Sequence, residues 1–573
     1  MVARSNNGNH HSVKKQNIIK LFLLLGILIF INIVSSVFFS RLDLTAEKRF
    51  TLAHTTKKLV SELDDIVYIK VYLDGDFPPG FRKLQSATRE MLDELRVYAD
   101  GNIEYEFIDP SVNPDPNERN KLYQQLSSKG IQPTNLREQG QGSESQKIIF
   151  PGAIVNYRNH EVPLMLLQDQ AGASTEQMLN TSMQSLEYAF ANTIRKVTST
   201  SQPSLLFING HGEADEKYLA DITRELQTFY MVERKRIDGQ LKALQGFDAI
   251  IVASPDSVFS DKDKFIIDQY IMSGGKVVWF VDGVNAEMDS LQTNDFTIAL
   301  ANEINLSDML FRYGARVNHD LVQDLQAAPI PVVTGYVGNR PQQTLLPWYY
   351  FPVVIPDSKH PIVNNLNAVK FEFSSSIDTV GAIGVKKTPL LTTSKYSRKS
   401  NAPVRIDLDI MQEEPVVAQY NNPQLNLAVL LEGNFTSVFK NRLVSQITEN
   451  NEIDFKESST STAMIIVSDG SIIKNGIKSS NGTIVPLGLD RYTGQIFGNK
   501  NFILNCVDYL CDDSGIMLVR SKEFRLRILD KTRVVEERLR WQVVNIVVPI
   551  IFILILAIYK FVRRRRKYAI KNP

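Results

Sequence analysis

The chain has 573 residues, more than one hydrophobic core ordinarily serves, so about two to four domains are expected. Its 64 basic and 63 acidic residues leave a net charge of +1. Nothing in that balance, the two chain ends excepted, suggests the extended basic face or tail through which nucleic acid is usually held, and no nucleic-acid partner is expected.

Residues 1–17 are polar and carry Lys14 and Lys15. Residues 18–40 follow as a candidate membrane span. Within them Leu21–Phe39 reads LFLLLGILIFINIVSSVFF, of which 15 residues are Leu, Ile, Val or Phe. As a helix those residues reach about 28 Å, close to the ~30 Å hydrocarbon layer. A cleaved signal peptide would have a shorter apolar core and a small-x-small site after it. Here Phe38-Phe39-Ser40-Arg41 follows, so an uncleaved anchor is expected.

Residues 41–170 open with an amphipathic stretch to Leu63, then a strand, IVYIKVYLDG. Helical spacing of Phe81, Leu84, Met91, Leu92 and Leu95 predicts a helix over 81–98. A second strand, NIEYEFIDP, a helix over 117–129 and a hairpin over 145–166 complete the unit. The order β-α-β-α-β-β resembles a thioredoxin-like layout, although the redox C-x-x-C is missing. A long amphipathic helix over 176–197 carries Leu179, Met183, Leu186, Phe190 and Val197 on one stripe.

Residues 171–320 continue with SLLFING, MVERKRI, FDAIIVAS and KVVWFVDGV as strands between amphipathic helices. Continuously apolar strands alternating with such helices predict a parallel sheet covered on both faces. Residues 321–424, rich in Pro, Thr and Val, read as a β-rich insertion. LNLAVLLEG and TAMIIVSDG then return to the sheet within residues 425–525, which also hold a helix over 501–510. Cys506 and Cys511 sit five residues apart in the helical stretch NKNFILNCVDYLCDD, about 140° around it, and are read as two separate structural thiols. A charged juxtamembrane helix, 526–541, leads to a second apolar span, 542–562, and a basic tail, 563–573, with four arginines from Arg563. Basic residues flank both spans on their outer ends. The positive-inside bias therefore puts both termini in the cytoplasm and the bulk of the chain in the periplasm, anchored in the inner membrane.

Parallel sheets bind ligands beyond the carboxyl ends of their strands. Asn209, His211, Glu213, Ser254, Asp256, Asp282 and Asn285 fall at those ends. Asn209, His211, Glu213 and Asp282 form the candidate ligand rim. Segment 204–284 resembles the class I glutamine amidotransferase-like fold. There a cysteine nucleophile occupies a strand-end turn, and Asp282 stands where that thiol would be. His211 and Glu213 precede the turn instead of following it, and no G-x-S-x-G elbow replaces it. Gly210 and Gly212 allow a tight turn, with Glu213 and Asp215 expected in the first turn of the next helix, favourably placed for its dipole. No catalytic, metal or cofactor residue is assigned. Gly274-Gly275-Lys276 lacks the upstream glycine and following Ser/Thr of a phosphate loop, so any ATP-driven role borrows an ATPase.

Several segments together resemble the ABC-transporter auxiliary proteins of gliding motility: RLDLTAEKRFTLA, LLFINGHGEAD, RYGARVNHDLVQD, LLEGNFTSVFKNR, IIVSDGSIIKNG and the stretch from Phe497 to Lys531. The resemblance covers nearly the whole chain in order. It implies a complex with a polytopic permease subunit and its cytoplasmic ATPase, and periplasmic gliding or secretion components as further partners. Asn32 and Asn545, polar groups in the apolar spans, are the candidate transmembrane interface.

Overall fold

The structure, a computed structural model, describes residues 19–30, 51–140, 143–168, 174–199, 201–293, 296–338, 340–411, 414–442, 455–478, 480–521 and 531–568. The chain divides into two units. One joins Met1–Leu44 with Phe50–Lys522; the other joins Thr45–Arg49 with Glu523–Pro573. The described part of the predicted N-terminal span is a short apolar helix, α1 (Ile19–Phe30); among the described residues one helix, near the C-terminus, is long and apolar enough to cross a membrane. The rest of that predicted span, with Asn32, lies outside the described residues.

Residues 51–199 build an N-terminal body. In chain order it comprises α2 (His54–Ser61), β1 (Val67–Val71), α3 (Pro79–Tyr98), β2 (Ile103–Phe107), α4 (Pro116–Ser128), β3 (Thr134–Gly140), β4 (Ser143–Ile149), β5 (Gly152–Tyr157), β6 (His160–Met165) and α5 (Thr175–Thr198). The central sheet has the order β2-β1-β5-β6. β1 and β2 are parallel, and β5 and β6 join antiparallel. Alternation on β1 buries Val67, Ile69 and Val71 against α3 and α5. A capping box of Ser174 and Gln177 starts α5, satisfying two backbone N–H groups that a helix start leaves free. The single hairpin read over 145–166 is two hairpins. β4 pairs back with β3, and β5 with β6. Pro151 lies between them and has no N–H with which to continue a ladder.

The α/β body follows with β7 (Ser204–Asn209), α6 (Glu216–Gln227), β8 (Met231–Arg236), β9 (Ala249–Ala253), α7 (Asp261–Met272), β10 (Lys276–Phe280), β11 (Val284–Asn285), α8 (Ser290–Thr293), β12 (Phe296–Ala301), α9 (Ser307–Tyr313) and β13 (Ala315–Val317). The β-rich part contributes β14 (Asp320–Asp324), β15 (Ala327–Val337), β16 (Arg340–Val354), β17 (Val369–Lys370), β18 (Ile377–Thr379), β19 (Val385–Thr392), β20 (Ser397–Asn401) and β21 (Val404–Asp407). β22 (Asn426–Gly433), β23 (Thr462–Val467) and α10 (Asn499–Cys511) close the body.

Among the described residues the main sheet has nine strands, in the order β13-β18-β22-β23-β10-β9-β7-β8 with β19 also on β22. β23, β10, β9, β7 and β8 run parallel. β22 is antiparallel to β23, and β19 to β22. The sheet is therefore mixed rather than parallel throughout, and β18 and β19 of the predicted insertion are strands of it. Complete burial of Ile250, Ile251 and Val252 on β9 explains the unbroken apolar run there: both faces are covered, by two separate core clusters.

The two bodies meet where α5 packs near α10 and the 3-10 turn Ile516–Ser521. Asp508 on α10 accepts from Lys196 Nζ at 2.9 Å and from the Tyr230 hydroxyl at 2.6 Å. Arg195 lies 3.8 Å from Asp512. Burial opposes ionisation of Asp508, but the Lys196 charge, the Tyr230 hydrogen bond and Arg195 outweigh it and lower its pKa. Cys506 and Cys511 are both buried and free.

In the second unit α11 (Lys531–Tyr568) is one continuous helix. Its stretch Arg540–Arg566 is long and apolar enough to cross a membrane. The boundary expected at 541–542 is a change of composition within that helix, not a break. Pro549 lies inside it, and Asn545 is exposed on its surface.

Candidate functional site

β7 ends at Asn209, and the chain turns at once. Gly210 has φ +124° and Gly212 φ +71°, both in the region open mainly to glycine. A Cβ on Gly212 would lie 1.5 Å from Asp256 Oδ1, so a side chain here would force the Asp256 side chain to turn away, on top of the strain of a positive φ. The turn delivers His211 into the interior, 5% exposed, with its ring stacked on Phe259 at 3.7 Å and 10°.

Glu213 folds back onto that turn. His211 N–H donates to Glu213 Oε2 at 2.7 Å, and His211 Nδ1 lies 3.2 Å from Glu213 Oε1. His211 Nε2 lies 3.2 Å from Asp263 Oδ2 on α7. This corrects the dipole reading of Glu213. α6 begins only at Glu216, with Asp215 as its N-cap, and the buried Glu213 serves the histidine. Both ring nitrogens face carboxylate oxygens, an arrangement that requires both to donate and so favours imidazolium. Burial opposes the charge, but the hydrogen bonds and charges of Glu213 and Asp263 prevail and raise the pKa. The two carboxylates sit at opposite nitrogens of one ring, so the three side chains do not converge on a common point. Among the described residues no His/Cys/Asp/Glu group is arranged to hold a metal ion.

The raised pKa sets a sign. A histidine whose folded pKa exceeds its unfolded value of about 6.5 adds stability that is complete below that value and is lost as pH rises through the folded pKa. His211→Gln should therefore lower the melting temperature most at mildly acidic pH and progressively less above neutrality. Melting curves of both proteins across that range check this; a pH-independent difference contradicts it.

A second group forms at the neighbouring strand ends. Ser254, just after β9, has φ +54° and donates from Oγ to Asp282 Oδ2 at 3.1 Å. Asp282, just after β10, also accepts from Gly470 N–H at 2.7 Å. Asp469, just after β23, is fully buried and accepts from Ser471 N–H at 2.7 Å, Ser471 Oγ at 2.6 Å and Glu372 N–H at 2.6 Å. Burial raises the Asp282 pKa against the help of Gly470, Lys474 and Ser254. Burial, then the Asp282 charge, push Asp469 up to about 7.

A strained serine hydrogen-bonded to a carboxylate invites a nucleophilic reading. The donors that such chemistry needs are committed elsewhere or missing. Ser254 N–H donates to Phe280 O at 2.8 Å, and the following residue, Pro255, has no N–H to offer an oxyanion.

The β-rich segment Phe371–Ser376 lies across this group. Ser375 N–H donates to Ser468 O at 3.1 Å, and the Ser468 hydroxyl donates to Ser375 O. Ser375 Oγ donates to Asp320 O at 2.7 Å. A Cβ on Gly283 would lie 2.2 Å from Asn318 O and 2.5 Å from Ser375 Oγ, a measure of how closely the segment sits on the strand ends.

The seven strand-end residues thus divide. His211 and Glu213 belong to one group, Ser254 and Asp282 to another. Asp256 is exposed and accepts from Ser257 Oγ at 2.6 Å, while its N–H donates to His211 O. Asn209 is half-buried, with its side chain accepting from Gly210 N–H, and Asn285 is exposed on β11. Sequence reasoning passed over Asp263, Phe259 and Asp469. Asp469 had a legible signal: Val281-Asp282-Gly283 and Ser468-Asp469-Gly470 both end an apolar strand in Asp-Gly.

Comparison with known proteins gives the family. An uncharacterized protein of Borreliella burgdorferi is 23% identical over 566 residues, covering 96% of this chain and 99% of that protein. Among solved structures, the mmIFT52 N-terminal domain aligns at 13% identity over 54% of this chain and 98% of its own, with a TM-score of 0.30. A domain of unknown function, DUF7088, matches residues 46–156. The profile of an ABC-type uncharacterized transport system matches residues 202–506, from the start of β7 into α10, and the chain belongs to that auxiliary family of ABC transport systems.

Proposed function

We propose that the chain is a non-catalytic, membrane-anchored accessory subunit of an ABC transport system, of the gliding-motility type that resembles GldG. In this reading both termini are cytoplasmic and the described α/β and N-terminal bodies are periplasmic. A polytopic permease subunit and its ATPase are the partners, and the outer bodies couple them to envelope components of gliding and secretion. The thioredoxin-like and amidotransferase-like scaffolds then carry contacts rather than chemistry. The observation that carries the reading is the strand-end rim. The place where an α/β sheet would receive a substrate holds the chain's own segment Phe371–Ser376, bonded to Ser468 and Asp469.

The test is recovery of partners. Full-length chain purified from its native membranes should bring down a permease and an ATPase, identified by mass spectrometry. Asn545→Leu and Asn32→Leu should each reduce that recovery, because a polar group bonded across a transmembrane interface contributes about 0.5–2 kcal/mol. Recovery of neither subunit rejects the assignment; undiminished recovery by both variants rejects the two asparagines as the interface.

A second reading, a periplasmic receptor for a glycan or peptide, draws on Asn209 and Asn285, which keep solvent-reachable amides at the strand ends, and on the half-buried Asp282. Calorimetric titration of the full chain with envelope glycans and peptides tests it. Heat that vanishes in Asn209→Ala and Asp282→Asn favours it, and absence of heat removes it.

A further inference from the structure

We propose that Asp282 and Asp469 form a proton-dependent clasp that holds the segment Phe371–Ser376 on the strand ends of the main sheet. The register brings the two carboxyls together. β10 and β23 run parallel with Phe280 opposite Val467, and Val281 N–H donates to Val467 O at 3.0 Å, so the ladder continues past the strand ends. Two residues beyond that pair, Asp282 stands opposite Asp469, on strands about 4.8 Å apart.

Each carboxyl oxygen of the pair has a donor, and the donors come from different parts of the fold. Asp282 takes Ser254 of the β9 end and Gly470 of the β23 end. Asp469 takes Ser471 of its own turn and the N–H of Glu372 in the overlying segment. Release of this pair therefore removes the Glu372 tether, one of the bonds that seat the segment beside those of Ser375 to Ser468 and of Ser376 to the buried Asp320 carboxylate.

The surrounding charges do not neutralise two carboxylates. Lys474 and Glu287 act on Asp282 with opposite signs. Glu372 adds a further negative charge near Asp469. Lys370, the nearby cation of that segment, is bound to Glu372 and Asp490, both at 2.9 Å. His319 lies behind Gly283, its Nδ1 2.8 Å from that carbonyl, and its Nε2 lies 3.9 Å from Glu303. Like charges on adjacent strand ends, one of them fully buried, favour one neutral partner. Asp469, at about 7, is the group that keeps its proton into the neutral range.

The sign follows from linkage. A carboxyl whose folded pKa is raised from 3.8 to about 7 gives stability that is complete below 3.8 and is lost as pH rises through 7. The clasp is thus closed in mild acid and weakest above neutrality.

Hydrogen exchange on the full chain in detergent micelles, corrected for intrinsic rates, tests this between about pH 5 and 8.5. Peptides covering 371–376 and 467–474 should lose protection by up to about tenfold per pH unit as pH approaches 7, then level off. Peptides from β7 should not follow that profile. Asp469→Asn should flatten it. Asp282→Asn, which keeps Asp469 in place but removes its charged neighbour, should shift the midpoint to lower pH. A flat wild-type profile overturns the clasp. So does an Asp282→Asn midpoint that stays where the wild type has it, an outcome readable even if Asp469→Asn does not fold.

Discussion

Asp508→Ala should destabilise the unit that joins the two bodies by about 3–5 kcal/mol, the cost typical of removing one partner from a buried ion pair. Asp508 is 4% exposed, and the side chains of Lys196 and Asp508 are 11% and 5% exposed. Alanine leaves the Lys196 ammonium in that setting without its carboxylate and strips the buried Tyr230 hydroxyl of its acceptor. The loss falls at the junction of α5 with α10, so the two bodies should come apart before either unfolds. Chemical denaturation of the full chain in detergent should turn from one transition into two. The partner substitution distinguishes charge burial from lost packing. Lys196→Met in the Asp508→Leu background should recover more than half of the loss, because a hydrophobic pair carries no desolvation penalty. A loss below about 1 kcal/mol for Asp508→Ala would show that the cluster does not hold the bodies together.

Gly283→Ala should be the most disruptive single methyl group at the strand ends, costing about 3 kcal/mol, at the upper end for overpacking. Its Cβ would meet Asn318 O at 2.2 Å and Ser375 Oγ at 2.5 Å. The first contact is backbone and cannot rotate away. The Gly283 carbonyl is itself bound, by His319 Nδ1 at 2.8 Å and by Asn302 N–H at 3.0 Å, so the glycine cannot retreat. The added methyl should therefore lift segments 317–320 and 371–376 off the sheet. Limited proteolysis should cut near those segments in the variant and spare the N-terminal body. Gly381→Ala, where nothing lies within 4 Å of the new carbon, is the control and should be close to neutral. Equal protease resistance of Gly283→Ala and Gly381→Ala would refute close seating of the segment.

Local pattern made much of the fold legible. The stripe through Leu179, Leu186 and Phe190 gave a helix over 176–197, against an observed Thr175–Thr198, because a 3.6-residue period survives any tertiary arrangement. The apolar runs of β9 and β10 marked doubly covered strands because a strand buried on both faces takes apolar residues at successive positions. The short β11, β18 and β21 had no comparable signal. A two- to four-residue strand carries too few alternations to be read, and its pairing is decided by residues far along the chain.

The strand-end residues show the same division. Composition and glycine spacing marked a tight turn at Gly210-His211-Gly212, and φ +124° and +71° follow from it. What Glu213 does was not legible, because its partner is a ring that the turn rotates inward, and the second carboxylate, Asp263, comes from α7.

By itself the sequence determined the strand-end turns, the long apolar C-terminal helix and the alternation of strands with helices, since each depends on residues adjacent or periodic in the chain. Only the tertiary structure decided that Asp469 stands opposite Asp282, that Phe371–Ser376 lies on the strand ends, and that Asp508 joins α5 to α10. Each of these unites residues about a hundred or more positions apart, and such contacts exist only once the intervening chain has been folded and water removed from between them.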